Sequence, residues 1–376
     1  MKNKIKILHI ITSLRQGGAQ RILCELISST ANTFEHTIWV LMHEENAEIF
    51  IEAKSKGIKI YSINNESPFL LLKSIFKLLN YIEKNKPNLI QTWLYHSDLF
   101  SVILKNKNIP ILWNIRHSNS KMINSPIHRI ITIRACMVLS HFIPKKIISC
   151  SNSGIKYHKR IGYAKKFIYI PNGTSRNNDF LKIKKVRNQI INIGFFHRFN
   201  AQKDIKNFLE SCFILKNKYS RQINIIIGGT NMNEHNKKLM RLIKEYNLMK
   251  EINLKGFIKN IGYYICKCDL TVMSSMEGEG CPNIIIESIS YQVPVVATNC
   301  GDAEEIIGEC GYIVPIKNPN ILASKINLLI DNINNKKEYE KLKSNCQKRW
   351  EENFQKINMI NKYKDSWYKY SNNQLY

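Results

Sequence analysis

In the stretch SSMEGEGCPNIIIES two carboxylates, Glu279 and Glu287, stand with seven residues between them and Pro282 in the interval. Proline is well suited to the first helical position, where its missing N–H costs no bond. The spacing therefore puts Glu279 on a loop and Glu287 on the first turns of the helix that follows. Backbone N–H groups at Asn283 and Ile284 would mark the positive end of that helix, a place suited to a diphosphate. A carboxylate one turn further on can accept hydrogen bonds from two ribose hydroxyls. Taken alone, the same pattern also describes a capped helix with two solvated glutamates.

Other stretches place polar groups at the ends of apolar runs. GFFHRFNAQKD carries two cations, Arg198 and Lys203, after one such run, and Gly228-Gly229 follows another. SLRQGGAQRIL has Gly17 and Gly18 on the loop after the first run, where glycine allows a backbone to approach a ligand closely. QTWLYHSDL brings His96 and Asp98, and LWNIRHSNS brings Arg116 and His117, beyond the carboxyl ends of strands, where open α/β sheets bind ligands. Each has an ordinary alternative: a solvated lysine or arginine, a structural glycine turn, or a histidine satisfied in the core.

The elements that must position these groups follow from alternation. Ile5–Thr12, Thr37–Met42 and Ile58–Ile63 read as buried strands, each followed by a helical pattern at Ala19–Ser28, Ala47–Lys56 and Phe69–Asn85. Leu89–Thr92, Ile111–Ile115, Lys146–Cys150 and Phe167–Ile170 continue the strands until Pro171-Asn172-Gly173 breaks them. The pattern restarts at Ile190–Phe195 and runs through Gly311–Val314, so two parallel α/β domains are expected. The boundaries read as a first domain over 1–173, a linker over 174–189, a second domain over 190–350, and a closing helical tail over 351–376 with fraying at its end.

A chain of 376 residues with 44% hydrophobic content suits two such cores. The apolar start MKNKIKILHIITSL reads as a first strand, not a leader, because it is short and runs into Gly17-Gly18. No run reaches the roughly 20 apolar residues that span a bilayer. Ten scattered cysteines suit a reducing cytoplasm, and Cys266-Lys-Cys268 has no second pair to complete a zinc site. The formal net charge is +27, and between Glu83 and Asp179 sixteen Lys and Arg face one acid, Asp98. That field fits an anionic membrane surface or anionic substrate; nucleic acid is not expected, since no reading motif or aromatic-basic platform accompanies the charge.

With Glu279 and Glu287 followed by ESISYQVPVVATNCGDAEEII, the chain resembles family 4 of the nucleotide-sugar glycosyltransferases. The resemblance runs from Ile7 to about Tyr363 and implies the GT-B fold, two Rossmann-like domains facing across a cleft with a C-terminal helix returning to the first. It implies transfer with retention from a nucleotide-sugar, UDP in preference to GDP, in surface-polysaccharide or lipid-linked sugar assembly at the cytoplasmic face of the inner membrane. Glu279 would contact the transferred sugar and Glu287 the ribose, while Arg198 and Lys203 grip the leaving diphosphate. The Gly17-Gly18 loop, Pro282, Asn283 and Ile284 would complete the donor site. His117 would lie close to the transferred sugar, with His96, Asp98 and Arg116 towards a saccharide or lipid-diphosphate acceptor. No metal is expected, because two fixed cations do the work that Mg²⁺ does where an Asp-x-Asp motif is present, and the chain has none. Gln20 and Gln292 depart from the family pattern, which has Glu and Gly there. A nucleotide-sugar epimerase on the same fold is the alternative enzyme, and a basic nucleic-acid-binding protein the alternative of another class.

Overall fold

The computed structural model describes residues 4–15, 17–42, 48–63, 67–118, 127–183 and 190–371. The end of the expected linker, 184–189, and the tail 372–376 lie outside them. The chain divides into two compact units, Met1–Pro171 with Ile357–Tyr376, and Asn172–Lys356.

The first unit is built on β1 (Ile5–Ile11), α1 (Gly18–Thr30), β2 (Phe34–Val40), α2 (Glu48–Ser55), β3 (Lys59–Ser62), α3 (Pro68–Asn85), β4 (Leu89–Trp93), α4 (Tyr95–Phe100), β5 (Ile111–Ile115), α5 (Ile127–Leu139), β6 (Lys146–Ser149), α6 (Asn152–Arg160) and β7 (Phe167–Tyr169). Its seven strands are parallel in the order β3-β2-β1-β4-β5-β6-β7, so chain direction along the sheet reverses between β1 and β4. Helices cover both faces, which is why the central strands are apolar almost throughout. One face packs Ile22 and Leu26 of α1, the other Leu78 and Ile82 of α3 with Ile133 of α5.

The second unit holds β8 (Ile191–Phe196), α7 (Ile205–Asn217), β9 (Ile223–Gly228), α8 (Lys237–Glu245), β10 (Ile252–Leu254), α9 (Ile261–Ile265), β11 (Leu270–Met273), α10 (Asn283–Ser290), β12 (Val295–Thr298), α11 (Ala303–Ile307), β13 (Gly311–Val314), α12 (Pro319–Asn334) and α13 (Lys336–Asn353). Its six strands are also parallel, in the order β10-β9-β8-β11-β12-β13, with the reversal between β8 and β11. Of the stretch expected as a linker, 174–183 packs on this unit. Thr174 N–H donates to the Phe354 carbonyl at 2.9 Å, and the Arg176 guanidinium lies 4.5 Å from the centre of the Trp350 ring.

The last helix, α14 (Lys356–Tyr370), completes the first unit by satisfying polar groups buried in its sheet. Asn114 donates to the Tyr363 hydroxyl at 2.8 Å, and the Trp367 indole donates to Gln91 at 2.6 Å. A second buried network runs one way through β1, β2 and α1. The Trp93 indole donates to His9 Nδ1 (3.3 Å), leaving His9 Nε2 to donate to His36 Nδ1 (3.0 Å). His36 Nε2 then donates to the Thr30 hydroxyl (2.8 Å), which donates to the Leu26 carbonyl (2.6 Å). The chain closes only if both imidazoles are neutral. Burial pushes both down, His36 to about 3 and His9 well below its ordinary value.

Two differences from the sequence reading have plain physical reasons. Pro282 is the N-cap of α10 and not its first helical residue, a shift of one position that leaves the N-terminal amides where expected. Gln292 adopts φ +59, a conformation comfortable for glycine, and its amide donates to Gln347 at 2.9 Å. No helix among the described residues is long and apolar enough to cross a membrane.

Candidate functional site

Every candidate residue sits after the carboxyl end of a strand or on the helix that follows. Gly17 and Gly18 follow β1, His96 and Asp98 follow β4, and Arg116 and His117 follow β5. Arg198 and Lys203 follow β8, while Glu279 through Glu287 follow β11. In each sheet the strands on both sides of the chain reversal contribute, which is where open α/β sheets place ligand sites.

In the second unit two loops are stitched side by side. After β8, His197 N–H donates to the Gly228 carbonyl and Phe199 N–H to the Thr230 carbonyl, both at 2.9 Å. Gly229 has φ +141, and a Cβ there would stand 1.9 Å from the His197 carbonyl oxygen, so only glycine allows this approach. A single 3-10 turn, Ala201–Lys203, is capped by Asn200. The Ser274 hydroxyl lies 2.8 and 2.9 Å from the carbonyls of Lys203 and Asp204, and Met276 N–H donates to the Gln202 carbonyl at 2.9 Å. These bonds hold the turn carrying Lys203 against the loop carrying Glu279.

There the Lys203 ammonium pairs with Glu279 Oε1, which also accepts from the Ser275 hydroxyl at 2.7 Å. The two side chains are 15% and 11% exposed, so the pair is shielded from water. Burial is the largest influence on Glu279 and pushes its carboxyl up. The charge and hydrogen bond of Lys203, with the Ser275 hydroxyl and His197, outweigh it and hold the carboxyl below its ordinary value. His197 is fully buried beside the pair, and burial with the Lys203 charge lowers its imidazole to about 3. The carbonyl of Glu279 faces Gly301, where φ is +64 and a Cβ would come within 2.4 Å of it.

The loop runs into α10 through Pro282, whose side chain offers the helix no capping bond, so the amides that open the helix are left for another acceptor. Asn172 braces this entrance, donating to the Cys281 carbonyl at 3.0 Å and to Asn283 Oδ1 at 2.6 Å. Ile284 is buried in the first turn, and Glu287, half-buried, stands one turn along from Asn283. Arg198 is exposed on the loop after β8. Lys203, Glu279, Pro282 and Asn283 thus form one continuous surface, assembled from a cation, a carboxylate and a helix N-terminus.

The candidates of the first unit are arranged differently. His117 is half-buried and stacks on Tyr95, ring centres 6.0 Å apart and planes 18° apart. The Tyr95 hydroxyl donates to His158 Nε2 at 2.8 Å, because His158 Nδ1 donates to the Gly154 carbonyl at 2.6 Å. Burial lowers His158 to about 4, which keeps it neutral in this role. Arg116 is anchored by the Tyr363 hydroxyl of α14 at 3.5 Å.

His96 and Asp98, read together from the sequence, part company. Two residues apart on a helix they cannot share a face. His96 is exposed, its imidazole lowered by partial burial and by the nearby His128 and Arg129. Asp98 is fully buried, accepts from the Thr92 hydroxyl at 2.5 Å, and is raised by burial to about 8. The Gly17-Gly18 loop is closed by Gln20, whose side-chain N–H donates to the Ser13 carbonyl at 3.2 Å, a bond that a glutamate there could not make.

Sequence reasoning missed Ser275, Asn172, His197 and Tyr95. Ser275 and His197 lie inside motifs already singled out, so the signal was present but unranked. Asn172 was read only as part of a chain breaker, and nothing in the spacing of Tyr95 and His117 announces that they stack. Among the described residues no group of three or more His, Cys, Asp or Glu could hold a metal ion.

Comparison with known proteins adds to this geometry. Residues 177–349, within the second unit, match the family model of the glycosyl transferases group 1. The chain is 29% identical over 259 residues to the uncharacterized glycosyltransferase MJ1059 of Methanocaldococcus jannaschii, covering 62% of this chain and 61% of that protein. It is 23% identical over 312 residues to the capsular polysaccharide biosynthesis glycosyltransferase CapH of Staphylococcus aureus, covering 80% and 83%. It is also 22% identical over 367 residues to a Campylobacter jejuni N-acetylgalactosaminyltransferase acting on N-acetylgalactosamine-N,N'-diacetylbacillosaminyl-diphospho-undecaprenol, covering 88% and 91%. Among solved structures, Anabaena HepE in complex with UDP superposes with a TM-score of 0.80 at 16% identity, over 96% of this chain and 99% of that one. The fold is therefore the two-unit α/β architecture of the GT-B glycosyltransferases, and the family match and relatives support a glycosyltransferase.

Proposed function

We propose that this chain transfers a hexose or N-acetylhexosamine from a nucleotide-sugar, UDP in preference to GDP, to a saccharide or lipid-diphosphate-linked saccharide during cell-surface polysaccharide assembly, with retention and without a metal. The observation that carries the reading is the shielded Lys203–Glu279 pair beside the uncapped N-terminus of α10. A buried cation and a row of amides are what a departing nucleoside diphosphate requires. The relatives named for polysaccharide and undecaprenol-linked sugar assembly support the acceptor class.

In this reading the amides of Asn283 and Ile284, with Lys203 and Arg198, hold the diphosphate, and Glu287 accepts from the ribose hydroxyls. Glu279 orients the sugar. As the anomeric C–O bond to the diphosphate breaks, the sugar gains oxocarbenium character and the acceptor oxygen forms its bond on the same face. The acceptor proton passes to the leaving phosphate oxygen, so no enzyme-bound intermediate is needed. His117, held by Tyr95, approaches the sugar, and the surface bearing His96 and Arg116 is assigned to the acceptor. Asp98 acts from the interior through α4.

The test is thermal-shift binding of UDP, GDP, ADP and dTDP with and without chelator, on wild type and Glu287→Ala. Stabilisation by one nucleotide, insensitive to chelator and lost in the variant, is expected. No stabilisation by any of them would overturn the donor site, and conversion of a nucleotide-sugar in the absence of acceptor would favour an epimerase.

A further inference from the structure

Helix α10, which carries the amides and the Glu287 carboxylate of the proposed donor site, is eight residues long. So short a helix is not stable by itself, and its neighbours must fix where it stands. Its own sequence contributes little to that: Pro282 gives no capping bond at the amino end, no basic residue stands in the last turn, and Gln292, just past the C-cap Tyr291, has φ +59.

The segment that opens the second unit grips the helix at both ends. Asn172 takes the entrance, through the Cys281 carbonyl and Asn283 Oδ1. Further along the segment, the Arg176 guanidinium donates at 2.8 Å to the carbonyl of Ser290, the last residue of α10. The same nitrogen donates to Gln347 Oε1 of α13 at 2.5 Å, and Nε donates to Asn178 Oδ1 at 3.0 Å. Gln347 Oε1 also accepts from the Gln292 amide, so the turn after α10 is tied to the same point. Asn177 N–H donates to the Tyr291 hydroxyl at 3.0 Å, and Gly262 leaves that hydroxyl room, since a Cβ there would stand 2.3 Å from it. Arg176 is half-buried; among the described residues its guanidinium meets a carbonyl, two side-chain amides and the Trp350 ring, but no carboxylate. Its charge therefore stays in place at the carboxyl end of the helix.

We infer that Arg176 is a positioning residue for the proposed diphosphate site, acting from the opposite end of the helix that forms it. By holding Ser290 against α13 it fixes, through about 12 Å of helix, where the amides of Asn283 and Ile284 and the carboxylate of Glu287 stand. Its charge also offsets the negative pole of the helix dipole, which makes the amino end more favourable to an anion. Arginine suits both tasks, because a planar fork with several donors holds a carbonyl, an amide and a ring face at once where a lysine would hold one. This deepens the reading of α10 as the diphosphate helix and rests on it. A residue that only anchored the connecting segment would affect the stability of the unit and leave the affinity of the folded site unchanged.

The experiment is calorimetric titration of the full chain with UDP and with GDP, at a temperature well below the melting of every variant compared. Wild type is expected to bind one of the two. Arg176→Ala should weaken that diphosphate about ten-fold, and Arg176→Lys, which keeps the charge and one donor, should recover part of the loss. The control is Arg221→Ala, which breaks an arginine network with Asn327 and Asp331 of α12 in the same unit; it should lower the melting temperature and leave the affinity as in wild type. If Arg176→Ala does not fold, Gln347→Ala, which frees the guanidinium without removing it, should weaken binding about three-fold, and wild-type affinity in it would count against the inference. The inference is overturned if Arg176→Ala binds as wild type does, if Arg221→Ala weakens binding equally, or if Arg176→Lys binds no more tightly than Arg176→Ala. Any of these with wild-type binding intact leaves the donor site standing, whereas a wild type that binds neither diphosphate overturns the donor site and this inference with it.

Discussion

Two buried carboxylates, one in each unit, are treated in opposite ways. Glu279 in the second unit is drawn below its ordinary titration range by a lysine and a hydroxyl, so it is a fixed negative charge beside a fixed positive one. Asp98 in the first unit has no cation to offset its burial: the Thr92 hydroxyl and the Asn114 backbone both bond to it, but burial outweighs them and raises it to about 8, so near neutral pH it carries a proton. The second unit concentrates charge beside its sheet's chain reversal. The first lines its own reversal with hydroxyls, imidazoles and aromatic rings, with Arg116 beside them after β5. On the proposed function, a site that holds a leaving diphosphate needs charge already in place, whereas one that admits a sugar hydroxyl can work by shape and hydrogen bonds.

The sharpest way to break that contrast is at Lys203. Lys203→Ala should lower kcat by roughly 100- to 1,000-fold if the ammonium stabilises the departing diphosphate. It also strands Glu279 in a shielded place without its partner, at a cost of about 3 kcal/mol of stability. The double variant Lys203→Ala, Glu279→Ala should recover most of that stability and none of the activity. Chemical denaturation alongside steady-state kinetics separates the two effects. A single variant with wild-type turnover removes Lys203 from the mechanism, and a double variant no more stable than the single removes the pair's electrostatic account.

Much of the candidate site's framework in the second unit was legible because its residues are local in sequence. Glu279, Pro282, Asn283 and Glu287 lie in one short motif, and the apolar run Ile190–Phe195 falls within one residue of β8 (Ile191–Phe196). The first unit was less legible because its site is assembled at long range. Tyr95, His117 and His158 come from three separate loops or helices, and their stacking and hydrogen bonds leave no periodic trace. Reading His96 with Asp98 treated neighbours in sequence as neighbours in space, which a helix does not allow. In α3 the helical pattern over Phe69–Asn85 was legible, but the outward Phe69, Leu72 and Phe76 were not, because a single apolar stripe is the usual pattern. Short α4 and the helices α5 and α6 were not delimited at all, although Ser151 caps α6 by accepting from the Gly154 N–H at 2.9 Å.

The contrast predicts different responses to acid. In the first unit His9, His36 and His158 are neutral in the fold and titrate well below their ordinary value. Unfolded, they bind protons as pH falls below about 6.5, while folded they do not. The unfolded state then holds more protons, so stability is full above that pH and is lost as it falls towards the folded values. Asp98 opposes this by one proton, leaving a net loss on the order of 2 kcal/mol per pH unit. In the second unit His197, lowered to about 3, acts in the same direction with fewer partners. Hydrogen exchange at pH 7 and pH 5.5 should show the amides around His9, His36 and Thr30 losing protection before those around Ile193 and Ile225. Equal loss in both units would show that the buried imidazole chain does not govern the first.

Asp98 itself gives the smallest effect and the most specific. Its folded value of about 8 lies above the ordinary carboxylate value, so the folded state retains a proton that the unfolded chain gives up above about pH 4. Stability tied to this group is therefore greatest in acid and declines as pH rises, levelling off once pH passes the folded value. Asp98→Asn keeps an oxygen to accept from Thr92 and carries no charge to desolvate, so it should remove the decline. The variant should gain on wild type by on the order of 1 kcal/mol per pH unit between about pH 5 and pH 8, and no further above. Melting temperatures across that range decide the matter. A gain that appears only below pH 5, or a loss that grows with pH, would mean that Asp98 is ionised in the fold and that the first unit, like the second, holds a fixed negative charge.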